Sequence, residues 1–345
     1  DESLEQYAYE FIHTTKPEEL FDMNFDVIIS NPPYQMNTGG GQSQAMPMYH
    51  RFVQQAKKLN PRYISMIIPS RYFAGGIGLK EFRQEILSDS RISSIVDYLQ
   101  SDACFPGVVI AGGVNYFLWE RDRTGLCNYT SIDQGEAETL ERNLSEYPTL
   151  IRSNIGISIV NKVLGSGEKS VEHRMSALSP YGLNSYERGH QSRKNGDYVL
   201  ISSGGTSYIS PNEVTKGHNY LEKYNVVCSY ATSGSAASAD KQGKRKVIAR
   251  LFILQPKEVC TFSYFIVGSF ETLQEAENYQ QYLSTKFSRF LLFLSLSSIH
   301  VSRDKFQFVP DQDFTTVWTD EKLYNKYKLT EKEKNTIESM IGPMD

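Results

Sequence analysis

The 345-residue chain is 40% hydrophobic and 22% charged, an ordinary globular make-up that excludes a disordered or collagen-like polymer and leaves room for about two domains. Its formal net charge of −4 is unevenly spread. Residues 1–150 hold 12 Lys/Arg against 20 Asp/Glu, whereas residues 151–310 hold 19 against 12, so an acidic first part precedes a basic second part suited to a polyanion. Uneven surface composition is the plainer alternative. The widely spaced Cys104, Cys127, Cys228 and Cys260 form no CxxC pair, which indicates neither a zinc site nor a disulfide framework. Free thiols in a reducing cytoplasm are expected. The apolar patch Phe290 to Ile299 is too short and serine-rich to span a bilayer, and no membrane partner is expected. Asp1 is not an initiator methionine and the chain opens mid-pattern, as a piece of a longer protein would.

In chain order, residues 4–21 predict a short helix and a connection. Val27, Ile28 and Ile29 then form an apolar, β-branched run that stops at Ser30 and Asn31-Pro32-Pro33-Tyr34. A run bounded by breakers in this way predicts a buried strand, most often in a parallel sheet. The two prolines give no N–H and hold the chain rigid at the strand's carboxyl end, where open α/β folds bind ligands. The stretch 35–48 has no periodicity and predicts a mobile loop, and Gly39-Gly40-Gly41 lacks phosphate-loop spacing. Apolar residues at 49, 52, 53, 56 and 59 predict a helix that Asn60-Pro61 ends. Tyr63–Ile68 predicts a second buried strand, Leu79–Leu87 a helix and Ile92–Tyr98 a third strand. Val108–Ile110 and Val114–Trp119 predict a hairpin at the sheet edge, turning at Gly112-Gly113. The alternation is that of an α/β, doubly wound sheet.

Beyond Asp122 the pattern weakens. Residues 133–168 predict helices, including Ile157–Leu164, and strands return at Asn225–Tyr230, Val247–Leu254 and Cys260–Phe270. Leu273–Leu283 and Lys286–Leu296 predict an amphipathic and a buried helix. Thr319 and Thr330 are the expected N-caps of two last helices, with Thr330 and Glu333 at capping-box spacing.

The chemistry at Asn31–Tyr34 is that of a planar exocyclic amine made nucleophilic. Two off-plane oxygen acceptors draw its hydrogens and let its lone pair face an electrophile. The Asn31 side chain and the Pro32 carbonyl are two such acceptors. Pro33 fixes the turn, and Tyr34 offers a face for a flipped-out base, a stack worth about 1–3 kcal/mol against the few kcal/mol of unpairing. A mere turn after a strand is the rival, but at average usage the tetrapeptide arises by chance in only about one chain in a thousand of this length.

FDVIISNPPYQ resembles motif IV of the AdoMet-dependent amino-methyltransferases, and its NPPY is similar to that of gamma-class adenine-N6 DNA methyltransferases of restriction–modification systems. MYHRFVQQAKKLNPRYISMIIPSRYF resembles their motifs V and VI, and FPGVVIAGGVNYFLWERD their motifs VII and VIII. Residues from Val259 to Tyr324 resemble their target-recognition part. The resemblance implies that residues 1–124 are the C-terminal part of a Rossmann-like catalytic domain and residues 125–345 an α+β DNA target-recognition domain with a helical end. It implies catalysis by Asn31, Pro32 and Tyr34, substrate contact by Pro33 and Tyr34, and S-adenosyl-L-methionine as cofactor, faced here by Asn31. The Gly-rich AdoMet loop that members carry ahead of NPPY is not found in residues 1–24, so the main cofactor-binding part is expected upstream of this chain. Double-stranded DNA is the expected partner, along with a cognate restriction endonuclease activity or subunit.

Within the basic part, Lys244, Arg245, Lys246 and Arg250 form one candidate DNA contact, with Lys241 beside them, and Arg193 and Lys194, near Arg188, a second. Solvated loops are the rival at both. A structural role is expected for His300. Methylation of an RNA base or a glutamine side chain is an alternative, as is a DNA-recognition module without activity of its own.

Overall fold

The computed structural model describes residues 2–21, 23–36, 46–73, 75, 78–133, 135–147, 149–232, 239–240, 242–296 and 300–344. Two compact units divide the chain, Asp1–Asn154 and Ile155–Asp345. The first unit opens with α1 (Glu2–His13), and β1 (Val27–Ser30) follows the connection. A short ribbon comes next, β2 (Gln35–Met36) with β3 (Met46–Pro47), and then α2 (Tyr49–Lys58) and β4 (Tyr63–Pro69). A 3-10 turn, Ser70–Phe73, leads to α3 (Lys80–Ser88), and β5 (Ile92–Tyr98), β6 (Val114–Glu120), β7 (Cys127–Asp133) and β8 (Glu136–Arg142) complete the unit. Helix α2 ends as its sequence predicts, with Lys57 and Lys58 in the last turn favouring the helix dipole and Asn60 left-handed at φ 52° before Pro61.

The strand order is β1-β4-β6-β5-β7-β8. β1 runs parallel to β4 and β5 parallel to β7, while β6 is antiparallel to both β4 and β5. The result is a large mixed sheet, with two corrections to the expected one. Val108–Ile110 forms no strand, and Val114–Trp119 lies in β6 between β4 and β5, not in an edge hairpin. The apolar sequence of β6 suits a strand paired on both sides, and Gly113 serves its tight entry. Gly113 has φ 78°, and a Cβ there would fall 2.0 Å from the Tyr98 carbonyl oxygen. The expected buried strand β1 is instead an edge strand among the described residues, with Ile29 79% exposed.

The face bearing Ile64, Met66, Ile68, Phe117, Trp119 and Ile95 packs against Tyr49, Val53 and Ala56 of α2 and Phe82 and Ile86 of α3. The opposite face leaves Val27, Ile29 and Tyr116 exposed. The expected helical stretch after residue 133 begins instead with β8, which pairs antiparallel with β7 through a connection containing Gly135 at φ 85°. Both strands belong to the first unit, so the unit boundary falls at Asn154/Ile155 and not at 124/125.

One buried carboxylate joins the carboxyl edge of this sheet. Asp97, on β5, accepts Ser70 Oγ and Tyr129 Oη, each at 2.6 Å. Arg152 donates Nε and Nη2 to its two oxygens at 2.6 and 2.7 Å, and Nη1 to the Gly112 carbonyl at 2.7 Å. Asn115 Nδ2 donates to Ser70 Oγ and to the Ile68 carbonyl, and Tyr72 Oη donates to Asn115 Oδ1 at 3.3 Å.

The second unit contains α4 (Asn154–Leu164, its first residue in the first unit), β9 (Tyr198–Ser202), β10 (Gly205–Ile209), β11 (Tyr224–Ser229), β12 (Leu251–Leu254), β13 (Glu258–Cys260) and β14 (Tyr264–Phe270). Helices α5 (Leu273–Ser284), α6 (Lys286–Ser295), α7 (Asp320–Lys326) and α8 (Glu331–Met340) follow. The strands form two three-stranded sheets, β10-β9-β13 and β12-β11-β14, whose residues Leu200, Val259, Val227 and Ile266 share one core. Phe287 to Ser295 of α6 are all buried, as expected of a buried helix, with the polar Ser288, Arg289 and Ser295 taken in along with the apolar run Phe290–Leu294. Thr319 caps α7, and Thr330 with Glu333 forms the expected capping box of α8. The hairpin β9–β10, in a stretch poor in long apolar runs, is not legible from periodicity.

Replacing Asp97 by alanine strands the Arg152 charge in the interior. The expected cost is about 3–5 kcal/mol of unfolding free energy, to be read from the denaturant midpoint. A loss below 1 kcal/mol would remove this cluster as the tie along the sheet edge.

Candidate active site and nucleic-acid surface

Because β1 and β4 are parallel, Ser30 and Pro69 end their strands at the same edge of the sheet. Asn31, Pro32, Pro33, Tyr34 and Gln35 line a cleft of about 520 Å³ there. Its other walls are Pro47 from the end of β3 and Tyr49 from the start of α2, Pro69 from the end of β4 and Arg71 from the turn after it, and Val109–Ala111 from the loop before β6. The volume lies within the range of about 300–1,000 Å³ usual for small-ligand sites.

The sequence positions each wall residue by a local rule. Pro32 is buried and anchors the turn, while Asn31 stays exposed with no hydrogen-bond partner for its side chain among the described residues. The half-buried Tyr34 packs against the core, and its carbonyl accepts the Met48 N–H at 3.1 Å. Gln35 pairs with Pro47 across the β2–β3 ribbon, which brings the N-terminus of α2 against the tyrosine. The Tyr34 hydroxyl is buried without a partner among the described residues, and burial raises its pKa above that of an ordinary phenol. The Tyr49 hydroxyl is likewise buried without a described partner, and burial pushes its pKa well up. Both phenols are therefore neutral at physiological pH.

The structure thus brings together all four expected residues, Asn31, Pro32, Pro33 and Tyr34, and adds three features that sequence reasoning left out. Tyr49 is 1% exposed and counted there only as a helix position. Arg71 stands two residues past the end of β4, as Asn31 stands one past the end of β1, and that place just beyond a strand end was the available signal. Val109 is 92% exposed at the rim, on a loop where Ser101 Oγ donates to the Val108 carbonyl and accepts the Ile110 N–H, each at 2.7 Å. The glycines Gly39–Gly41 lie outside the described residues.

In the second unit the basic candidates separate by burial. Arg193 and Lys194 are exposed on a loop closed by Asp197, which accepts the Lys194 N–H and lies 2.6 Å from His190 Nε2. Arg193 stands over the Tyr208 ring, 5.7 Å from its centroid. Arg250 is exposed but held, with Nη1 donating to Tyr264 Oη at 3.0 Å and its guanidinium 4.5 Å from the Phe252 ring centroid. Arg245 corrects the expectation. It is only 2% exposed, its guanidinium lies 5.0 Å from the Phe293 ring centroid, and its backbone joins Met340 and Gly342. Lys244 and Lys246 are half-buried beside it, the Lys246 carbonyl accepting Arg289 Nη1, and Lys241 lies outside the described residues. His300 stacks on Tyr230 with ring centroids 4.6 Å apart, a packing contact.

Among the described residues, no group of three or more His, Cys, Asp or Glu side chains could hold a metal ion. No helix of the described residues is long and apolar enough to cross a membrane.

Residues 1–105 match the family described as Eco57I restriction-modification methylase. The chain is 31% identical over 169 residues to an uncharacterized adenine-specific methylase of Mycoplasma pneumoniae, a match covering 46% of this chain and 38% of that protein. The chain thus spans well under half the length of this curated relative. Among solved structures it is similar to the type IIG restriction endonuclease BpuSI, with TM-score 0.40, 11% identity, and coverage of 96% of this chain and 55% of that one. It is also similar to the type IIL restriction-modification enzyme MmeI in complex with DNA, with TM-score 0.43, 7% identity, and coverage of 92% and 55%. The family match and the curated relative show the resemblance to restriction–modification adenine methylases carried by Phe25–Gln35.

The burial contrast separates two kinds of arginine. Arg245→Ala should destabilise the second unit by about 2–3 kcal/mol through lost packing, whereas the double variant Arg193→Ala/Lys194→Ala should leave the melting temperature unchanged and, in the DNA binding expected of the basic part, lower the salt slope by about 1–2. A double variant whose DNA affinity and salt slope match the wild type would remove that loop as a contact.

Proposed function

We propose that this chain, similar to restriction–modification adenine methylases, supplies the amine-holding edge and the DNA-reading part of a site-specific adenine-N6 DNA methyltransferase. The observation that carries this reading is the exposed Asn31 amide beside the rigid Pro32-Pro33-Tyr34 turn, at the mouth of a cleft large enough for one base.

In the proposed reaction a flipped-out adenine stacks on Tyr34, and its N6 hydrogens are accepted by Asn31 Oδ1 and the Pro32 carbonyl. The Pro32 carbonyl sits on a turn that cannot relax toward strand pairing, so it stays oriented as the amine changes geometry, and the same turn holds the Asn31 backbone beside it. The lone pair is thereby freed, and once methylated the amine would give its proton to water, which requires no general base of high pKa. S-adenosyl-L-methionine, the proposed methyl donor, would supply an electrophilic methyl group. The residues present fit the amine side of this chemistry, with Asn31 also facing the donor. The described residues do not provide its main cradle. Gly75 and Gly78, the described glycines before α3, are separated from β4 by the Ser70–Phe73 turn. We place that cradle on a segment outside these residues, extending the sheet along the edge of β1 that has no strand partner among the described residues.

Double-stranded DNA is the proposed partner, met through Arg193, Lys194 and Arg250, with a cognate endonuclease activity or subunit and a cytoplasmic setting as parts of the same reading. A glutamine amide would be activated by the same acceptors, but the exposed cations of the second unit favour DNA.

Two experiments test the proposal. In the complete protein, Asn31→Ala should lower the rate of methyl transfer about 10²–10³-fold while DNA binding is retained. A variant as active as the wild type would overturn the catalytic role. Isothermal titration of residues 1–345 alone should show only weak S-adenosyl-L-methionine binding, and a Kd tighter than about 1 μM would overturn the external cradle.

A further inference from the structure

Arg71 occupies an unusual position in this chain. It follows the carboxyl end of β4 and lines the same cleft as Asn31 and Tyr34. Its backbone is held on every side. Ser70 and Tyr72 are buried, the Ser70 N–H donates to the Gly113 carbonyl at 3.0 Å, and Ser70 Oγ is bound by the Asp97 cluster. Gly112 approaches so closely that a Cβ added to it would lie 3.3 Å from Arg71 Cβ.

The side chain is the opposite. It is exposed, and no carboxylate or hydrogen-bond acceptor engages it among the described residues. Arg91, Arg121 and Arg152 of the same unit each pair with an aspartate, Asp89, Asp122 and Asp97. An unpaired guanidinium is thus fixed at its root and aimed from the wall of a ligand-sized cleft, within a part of the chain whose net charge is −8 (12 Lys/Arg against 20 Asp/Glu in residues 1–150).

We propose that Arg71 is a positioning residue that binds the phosphodiester of the nucleotide whose base enters the cleft, an assignment that rests on the base-methylation reading. A base turned out of a duplex brings its own sugar and phosphate to the cleft mouth. A guanidinium matches phosphate oxygens in a bidentate fork and remains charged at every working pH. Phosphate contacts of this kind fix register without reading sequence. Arg71 therefore sets how deeply the nucleotide is seated and so where its amine lies relative to Asn31.

Titrating the 345-residue chain with adenosine and with its 3′- and 5′-monophosphates, followed by NMR, tests this directly. The wild type should bind at least one monophosphate about 10-fold tighter than adenosine, as a charge-assisted hydrogen bond requires. In Arg71→Met that advantage should vanish while adenosine binding is unchanged, and Arg71→Lys should restore part of it. A phosphate advantage that persists in Arg71→Met overturns the assignment alone. Failure of adenosine to bind, or binding indifferent to Asn31→Ala, overturns the base-methylation reading and the assignment with it.

Discussion

The buried Asp97 carboxylate is the interaction on which the first unit's functional edge depends. It collects hydrogen bonds from the end of β4, from β7 and from Arg152, and through Arg152 it reaches the Gly112 carbonyl. The two segments it secures, Ser70–Phe73 and the loop before β6, are also two walls of the cleft. A charge pair in such a place is expensive to desolvate and contributes little net stability, but breaking it leaves an uncompensated charge. What it provides is position. Residues that never touch a ligand fix those that line the cleft.

The third wall is held by a different device. Asn31-Pro32-Pro33-Tyr34 ends β1 by removing N–H donors, and the Met48 N–H bonded to the Tyr34 carbonyl ties that turn to the start of α2. Covalent stiffness on one side and a buried polar network on the other leave a cleft whose backbone walls cannot rearrange far. The hydroxyls of Tyr34 and Tyr49 are buried there without described partners. In the proposed reaction the Pro32 carbonyl on this turn would meet the amine already oriented, as electrostatic preorganisation requires.

The second unit shows how burial sorts residues that composition treats alike. Lys244, Arg245, Lys246, Arg250, Arg193 and Lys194 all contribute to its basic character. Arg245 nevertheless lies over Phe293 in the interior, whereas Arg193 and Lys194 stand on a loop closed by Asp197. A long cationic side chain gains by laying its stem and guanidinium on an aromatic ring, and only the surrounding fold determines whether it does so. Charge counts therefore identified the basic unit but not its exposed cations.

Local rules in the sequence were enough for many of the elements and for the turn that ends β1, though not for β8 or the β9–β10 hairpin. The breakers after Ile29 marked the strand end, the spacing 49-52-53-56-59 marked α2, and Thr330 with Glu333 marked the capping box, because each depends on neighbours a few residues away. Tertiary structure decided everything that rests on distant pairing. β6 inserts between β4 and β5, β8 extends the sheet past the expected boundary, and β1 lies at an edge, since periodicity gives a strand its faces but not its partners. The same limit hid Tyr49, Arg71 and Val109 as companions of Asn31. Their convergence follows from two strand ends, a helix start and a loop meeting at one edge of the sheet, a relation between segments that no single segment encodes.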